Sequence, residues 1–338
     1  MARKLRTSIL AAIGLLVLIL DSKTAFYGAS AGLELCIQTV IPSLLPFFLL
    51  SILLTSSLSG EKISILKPIG RLCRIPNGAE SLVLIGILGG YPAGAQCVTQ
   101  AYENGAITRS TAQRMIAFCN LAGPAFLFGI VANKFSSENT AWALWGIHIL
   151  SAILVSAVIP GTPEIASLRS GKLITISAAL QRSLRVMAGV CGWIVVFRVI
   201  IAFLERWFLW MLSPSLQVAI MGILELSNGC CDLMLISSEG LRFIVVSGML
   251  AFGGLCVFMQ TASVTQGLSL KPYLFGKLLQ TLFSITLANG LQILLFDSSD
   301  RVRFSIGLWV AIVAAIAVTV KYLHKKQKKS SNSQLIGV

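Results

Sequence analysis

Charge is scarce in this sequence. Of 338 residues, 12% are charged and 56% are hydrophobic, whereas a soluble domain carries about 25% charged residues. Such a chain cannot cover its surface in water, which excludes an ordinary soluble fold. A bilayer is crossed by roughly 20 apolar residues, so a chain of this length has room for about eight to ten spans. Acidic residues are scarcer still, 13 against 27 Lys and Arg, for a net charge of +14. A basic total can signal nucleic-acid binding, but here its distribution excludes that. The basic residues sit in clusters beside apolar stretches: Arg3, Lys4 and Arg6; Lys62, Lys67, Arg71 and Arg74; Arg169, Lys172, Arg182 and Arg185; and Lys321, Lys325, Lys326, Lys328 and Lys329. Cytoplasmic loops have this pattern. Histidine is almost absent, with only His148 and His324, so a His-rich metal site is excluded. Eight cysteines contain no C-x-x-C pair, and Cys230 and Cys231 are adjacent, which suits neither a mutual disulfide nor zinc. A Ser-His-Asp hydrolase would have to use His148, at a span's edge, without any G-x-S-x-G. No enzymatic activity, no metal and no organic cofactor are expected.

The first apolar stretch, Ser8 to Leu20, follows the Arg3–Arg6 cluster, and we read it as a retained membrane helix rather than a cleaved signal. Further apolar stretches cover 33–57, 80–101, 111–132, 140–160, 183–204, 216–238, 241–264, 272–296 and 304–323. If all ten cross, the basic loop 161–182 faces outward, against the positive-inside rule. If 80–101 and 216–238 are re-entrant hairpins, eight crossings remain, both termini lie inside, and every large basic cluster is cytoplasmic. The two segments are also the richest in Gly, Pro and polar residues, with Gly86, Gly89, Gly90, Pro92 and Gly94 in one and Glu225, Asn228, Gly229 and Asp232 in the other. Irregular backbone at membrane depth is tolerated only where protein or a water-filled cavity covers it.

An internal repeat agrees with this scheme. Gly86-Ile87-Leu88 recurs as Gly222-Ile223-Leu224, and Ala117-Phe118 as Ala251-Phe252. A rival register matches Gly89-Gly90 and Gln96 with Gly253-Gly254 and Gln260, but it pairs a hairpin with a crossing helix. The preferred unit is helix, hairpin, broken helix, helix. The expected fold is therefore an all-α polytopic membrane protein with about eight transmembrane helices, two re-entrant hairpins and an inverted structural repeat. Its parts are an N-terminal helix and loop (1–30), repeat 1 (33–160), a cytoplasmic loop (161–182), repeat 2 (183–296), and a last span with a basic tail (304–338).

Candidate solute-binding residues follow from the interruptions. Gly89, Gly90, Tyr91 and Gln96 surround a Gly-Pro turn whose freed backbone groups need partners. Asn120, Gly123 and Pro124 interrupt the span 111–132 near its middle, where a plain proline kink is the alternative. Glu225, with Asn228 and Gly229, places an acid inside an apolar run. Gly253, Gly254 and Gln260 complete the set. Arg198 is a lone basic residue within a span: it snorkels toward Glu205, offers its charge to an anionic solute, or pairs with Glu225. Residues 64–76 read as an interfacial helix carrying Lys67, Arg71 and Arg74 on one face.

The runs Val40-Ile41-Pro42-Ser43-Leu44-Leu45-Pro46-Phe47-Phe48, Gly89-Gly90-Tyr91-Pro92-Ala93-Gly94-Ala95 and Phe118-Cys119-Asn120-Leu121-Ala122-Gly123-Pro124-Ala125-Phe126 resemble YlbJ-type sporulation integral membrane proteins. In the second half, Gly222 to Gly229 and Phe252 to Gln260 are similar to the same family. That family falls in the wider gate, or nucleoside-recognition, group, which is similar to concentrative nucleoside transporters. The resemblance implies paired hairpins and broken helices, a bacterial cell membrane location, and a part in endospore formation with dipicolinate as the solute moved. It would place the chain in the outer forespore membrane. The expected function is a secondary transporter of a small polar, anionic or nucleoside-like solute, coupled to sodium or protons where it is coupled. The partners are then the bilayer and the solute, with no nucleic acid, and a homo-oligomer is compatible with this reading. The alternative is a non-transporting sporulation factor that acts through protein partners.

Overall fold

The structure is a computed structural model that describes residues 2–58, 64–161 and 173–296, and every regular element in it is helical. The elements are α1 (Ala2–Leu20), α2 (Ser22–Leu35), α3 (Ile41–Leu58), α4 (Lys67–Cys73), α5 (Glu80–Gly89), α6 (Ala93–Glu103), α7 (Arg109–Cys119), α8 (Pro124–Phe126), α9 (Glu138–Val158), α10 (Ile176–Trp207), α11 (Pro214–Leu224), α12 (Leu226–Cys231), α13 (Glu239–Phe252), α14 (Gly254–Val264) and α15 (Lys271–Phe296). Among the described residues six helical stretches are long and apolar enough to cross a membrane: 22–54, 109–134, 138–158, 176–207, 239–264 and 271–296. These match six of the eight expected crossings. The apolar part of α1, Leu5–Leu20, is shorter. The expected crossing at 304–323 and the basic tail lie outside the described residues.

Two expectations near the N-terminal half are corrected. Residues 21–32, expected as an outer loop, are largely helix α2, which runs through a π turn at Cys36–Val40 into α3. Asp21 caps it by accepting the Thr24 amide at 3.2 Å. The composition of 21–32 is poor in large apolar residues because Gly28 and Gly32, four apart on one face, are where α10 packs. A Cβ on Gly28 would lie 2.8 Å from Val199 Cα, and one on Gly32 2.9 Å from Val195 Cα. Small residues at this spacing let two helix backbones approach in a membrane. Gly32→Leu should therefore lower the melting temperature and the yield of folded protein, by an overpacking cost of about 1–3 kcal/mol; an unchanged melting curve would contradict this. The second correction concerns His148, which sits in the middle of α9 with 1% exposure, not at a span's edge.

Contacts between loops define two ends of the bundle. At one, Arg109 Nη2 donates to the Gly267 carbonyl at 2.9 Å. Arg114 there gathers four backbone carbonyls, those of Cys73, Arg74, Ser156 and Ile159, at 2.7–3.2 Å. At the other end Glu239 accepts from Ser136, Arg206 pairs with Asp21 at 2.9 Å, and Arg242 donates to the carbonyls of Ile236 and Lys134. The short helices α5 and α6 pack on each other as one helical hairpin, and α11 and α12 as another. Arg114→Lys should be destabilised by at least about 2 kcal/mol in denaturation, because one ammonium cannot replace a planar fork that satisfies four carbonyls.

Each hairpin packs on the broken helix of its own half. Gly86 and Gly94 both abut the Cys119 carbonyl, at the end of α7, while Gly222 and Gly229 both abut Met249 in α13. The preferred repeat register pairs Gly86 with Gly222, and each is followed by its partner glycine, eight residues on at Gly94 and seven on at Gly229. α7 stops at Cys119, with Asn120 extended, and the chain resumes helix at Pro124. α13 stops at Gly253, whose φ is +82°, and α14 starts at Gly254. Pro124 lacks the amide that a continuing helix needs and is placed at a first helical position, where none is needed.

Candidate solute site

Near the middle of the bundle the hairpin tips and the helix breaks meet. Gly90, at φ +76°, lies backbone to backbone against Gly123: a Cβ on Gly123 would come within 2.9 Å of Gly90 Cα. Gly254 lies against the end of α11 in the same manner, with the Gly222 carbonyl 3.0 Å from its notional Cβ. Space requires glycine at 123, and a positive φ, +76° and +85°, favours it at 90 and 254 as well.

A small cavity of about 30 Å³ opens between these contacts. Its polar wall is Tyr91, Glu225, Ser227 and Gln260, with the Gly123 backbone. Its apolar wall comes from Val40 and Leu44, Phe126, Val190 and Ile194. Both halves of the chain thus contribute a hairpin tip and a broken helix. The volume is that of about one water, so a solute would need this space to widen.

Glu225 is extended between α11 and α12 and 2% exposed. Its carboxylate accepts from the Ser227 amide at 3.0 Å, the Asn228 amide at 2.7 Å and the Asn228 side chain at 2.6 Å. The acid is therefore held by its own turn, with Asn228 as an anchor behind it. Asn120, fully buried, ties three elements together. It accepts from the Ala95 amide at 3.3 Å and donates to Thr261 at 2.9 Å and Tyr273 at 3.4 Å. It stands behind the cavity rather than in its wall.

One residue of this site escaped the sequence reading. Lys277, in α15, is 1% exposed. Its Nζ donates to Tyr91 Oη at 3.0 Å and Gln280 Oε1 at 2.8 Å, and lies 4.8 Å from the Tyr91 ring centre. Tyr91 in turn donates to the Leu250 carbonyl at 2.9 Å. No carboxylate lies within ion-pair distance of Lys277 among the described residues. Gln280 Nε2 continues to the His148 carbonyl, and His148 Nε2 accepts the Ala122 amide at 2.9 Å. Because that nitrogen accepts, the ring proton belongs on Nδ1, which has no partner among the described residues. A polar chain thus runs from the first hairpin tip, through α15 and α9, to the first helix break. The sequence signal was a single lysine in an apolar helix, the same signal that drew attention to Arg198.

Arg198 is not brought to the cavity. Its guanidinium pairs with Glu205 at 3.0 Å and stacks over Tyr27 at 5.6 Å, the snorkelling arrangement. Gly89 packs against Ser51, and Gly229 against Gly222. Pro124 and Gly253 shape the breaks without entering the wall. Gln96 instead lines a larger cavity of about 490 Å³, which opens toward the Arg114 end and shares Val190 and Gln260 with the inner one. Among the described residues no three His, Cys, Asp or Glu side chains gather as metal ligands, and all eight cysteines are free thiols.

No protein-family model matches the chain, and no solved structure matches it. The sequence is 25% identical over 314 residues to sporulation integral membrane protein YlbJ of Bacillus subtilis, an alignment covering 78% of this chain and 76% of the relative. The chain is a multi-pass, all-helical membrane protein similar to a YlbJ-type sporulation integral membrane protein, as its motifs suggested.

Proposed function

We propose that this protein is a secondary transporter of a small polar or anionic solute, with dipicolinate, moved during endospore formation, as the first solute to test. The observation that carries the reading is the cavity bounded by Tyr91, Gly123, Glu225 and Gln260. It is built from two helical hairpins and two helices that break beside them. Secondary carriers with inverted repeats bind solute where broken helices meet at the midplane, and buried ionisable groups mark solute or ion paths. On this reading the hairpins are re-entrant, the Arg114 end is cytoplasmic, and α1 and the segment 304–323 supply two more crossings, so that both termini are cytoplasmic. The solute crosses unchanged, with sodium or a proton as the coupling ion and no organic cofactor. The similarity to a sporulation membrane protein supports a forespore-membrane location where the host forms spores.

Uptake by proteoliposomes tests this. Vesicles containing the protein should accumulate radiolabelled dipicolinate, a nucleoside or a dicarboxylate, above vesicles without it. An imposed sodium or pH gradient should change the rate. Uptake of none of the three under either gradient would overturn the reading and favour a factor acting through protein partners.

A further inference from the structure

We propose that the larger cavity is a second binding site, which takes a small planar carboxylate before it passes inward. The staging role rests on the transporter reading, but the binding site does not. Arg182 and Arg185 both line this cavity from α10. Three residues apart, they share a helix face and repel one another unless an anion lies between them. Neither makes an ion pair or hydrogen bond among the described residues, and no acidic residue lines the cavity. Two guanidinium forks with no partner among the described residues, set in a concave wall, match the geometry of a carboxylate.

The rest of the lining fits an aromatic acid. Trp193 lies about two turns further along α10, and its Nε1 donates to Ser263 Oγ at 3.2 Å. Ser263 is itself fixed to the Met259 carbonyl at 2.9 Å. The indole is thus held as a rigid wall against which a planar ring can stack. The Gln96 side chain is half-buried and makes no hydrogen bond among the described residues. Gln260 donates only to Cys256 Sγ, leaving its carbonyl oxygen open. Both amides therefore have capacity for a ligand. About 490 Å³ accommodates a single-ring acid, within the usual range of small-molecule sites of about 300–1,000 Å³. The shared wall at Gln260 and Val190 leads directly to the inner cavity.

Calorimetric titration of the full chain, in nanodiscs of phosphatidylcholine alone, tests the proposal. The probes are pyridine-2,6-dicarboxylate and its neutral diamide. The dicarboxylate should bind and the diamide should not. The Arg182→Gln, Arg185→Gln double variant should bind the dicarboxylate about tenfold to a hundredfold more weakly, as expected for lost charge-assisted hydrogen bonds. The double lysine variant should recover part of the affinity, and Trp193→Leu should weaken binding with the charges intact. Both arginine positions are at least partly accessible, so melting temperatures should stay close to the parent's. Equal affinity in parent and glutamine variant would overturn the site, as would equal binding of acid and diamide. Arginine-dependent binding of phosphatidylglycerol, with no binding of the dicarboxylate in neutral discs, would overturn it in favour of a lipid headgroup. If the dicarboxylate binds through the arginines but no vesicle accumulates any solute, the site stands and the transporter reading falls.

Discussion

Lys277→Met is expected to reduce solute uptake to background while leaving the protein folded, with a melting temperature equal to or above the parent's. An ammonium removed from water costs several kcal/mol unless it is well compensated. Lys277 is 1% exposed and, among the described residues, is compensated only by Tyr91, Gln280 and aromatic faces. Methionine fills a similar volume and carries no charge, so packing alone predicts no loss of stability. What disappears is one of the two hydrogen bonds that hold Tyr91, a wall of the cavity, and the amine behind it. Thermal melting and uptake measured on one preparation separate the outcomes. A large drop in melting temperature would make Lys277 a structural residue. Retained uptake would remove it from the transport account.

Gly123→Val should have a comparable effect through space alone. Gly123 has φ −76° and ψ 157°, a conformation open to any residue, so backbone strain is not the obstacle. The obstacle is Gly90, whose Cα would lie 2.9 Å from the new Cβ. The hairpin tip would be pushed off the helix break, at an overpacking cost of about 1–3 kcal/mol. Uptake should fall at least about tenfold while membrane insertion persists, because valine keeps the stretch 109–134, of which residue 123 is part, long and apolar. Gly123→Ala should lie between parent and valine. Equal uptake in all three would mean that tip and break need not touch.

Much of this architecture was legible in the sequence because the bilayer imposes strong patterns. Apolar length gave six of the spans, and the Gly- and Pro-rich interruptions at 89–94, 120–124 and 253–254 fell where helices end. The glycine pairs 86/94 and 222/229 marked hairpin faces that pack on their own broken helix. Other features were hidden for physical reasons. α2 looked like a loop because Asp21, Ser22, Lys23 and Thr24 are polar and Gly28 and Gly32 add no apolar bulk, although the smallness of the two glycines is what packs the helix against α10. Arg198 and Lys277 give the same local signal, one cation among apolar neighbours. The sequence already places Glu205 seven residues from Arg198, whereas only the fold places Tyr91 against Lys277. Gln96 was grouped with Tyr91, yet one helical turn directs it into the outer cavity instead.

On the transporter reading, the hairpin tips at Gly90 and Glu225 and the helix breaks at Gly123 and Gly253 enclose the path of the solute. Thiol accessibility at Ser227 tests it most directly. Ser227 sits in the cavity wall, 5% exposed, beside Glu225. In a chain whose eight cysteines are replaced, Ser227→Cys should react with a small membrane-impermeant thiol reagent, slowly and at a rate that rises under an imposed ion gradient. A solute that the vesicles accumulate should protect it, whereas a solute that they do not accumulate should leave the rate unchanged. Modification unaffected by a transported solute, or no modification during active uptake, would place the path elsewhere in the bundle and contradict the account.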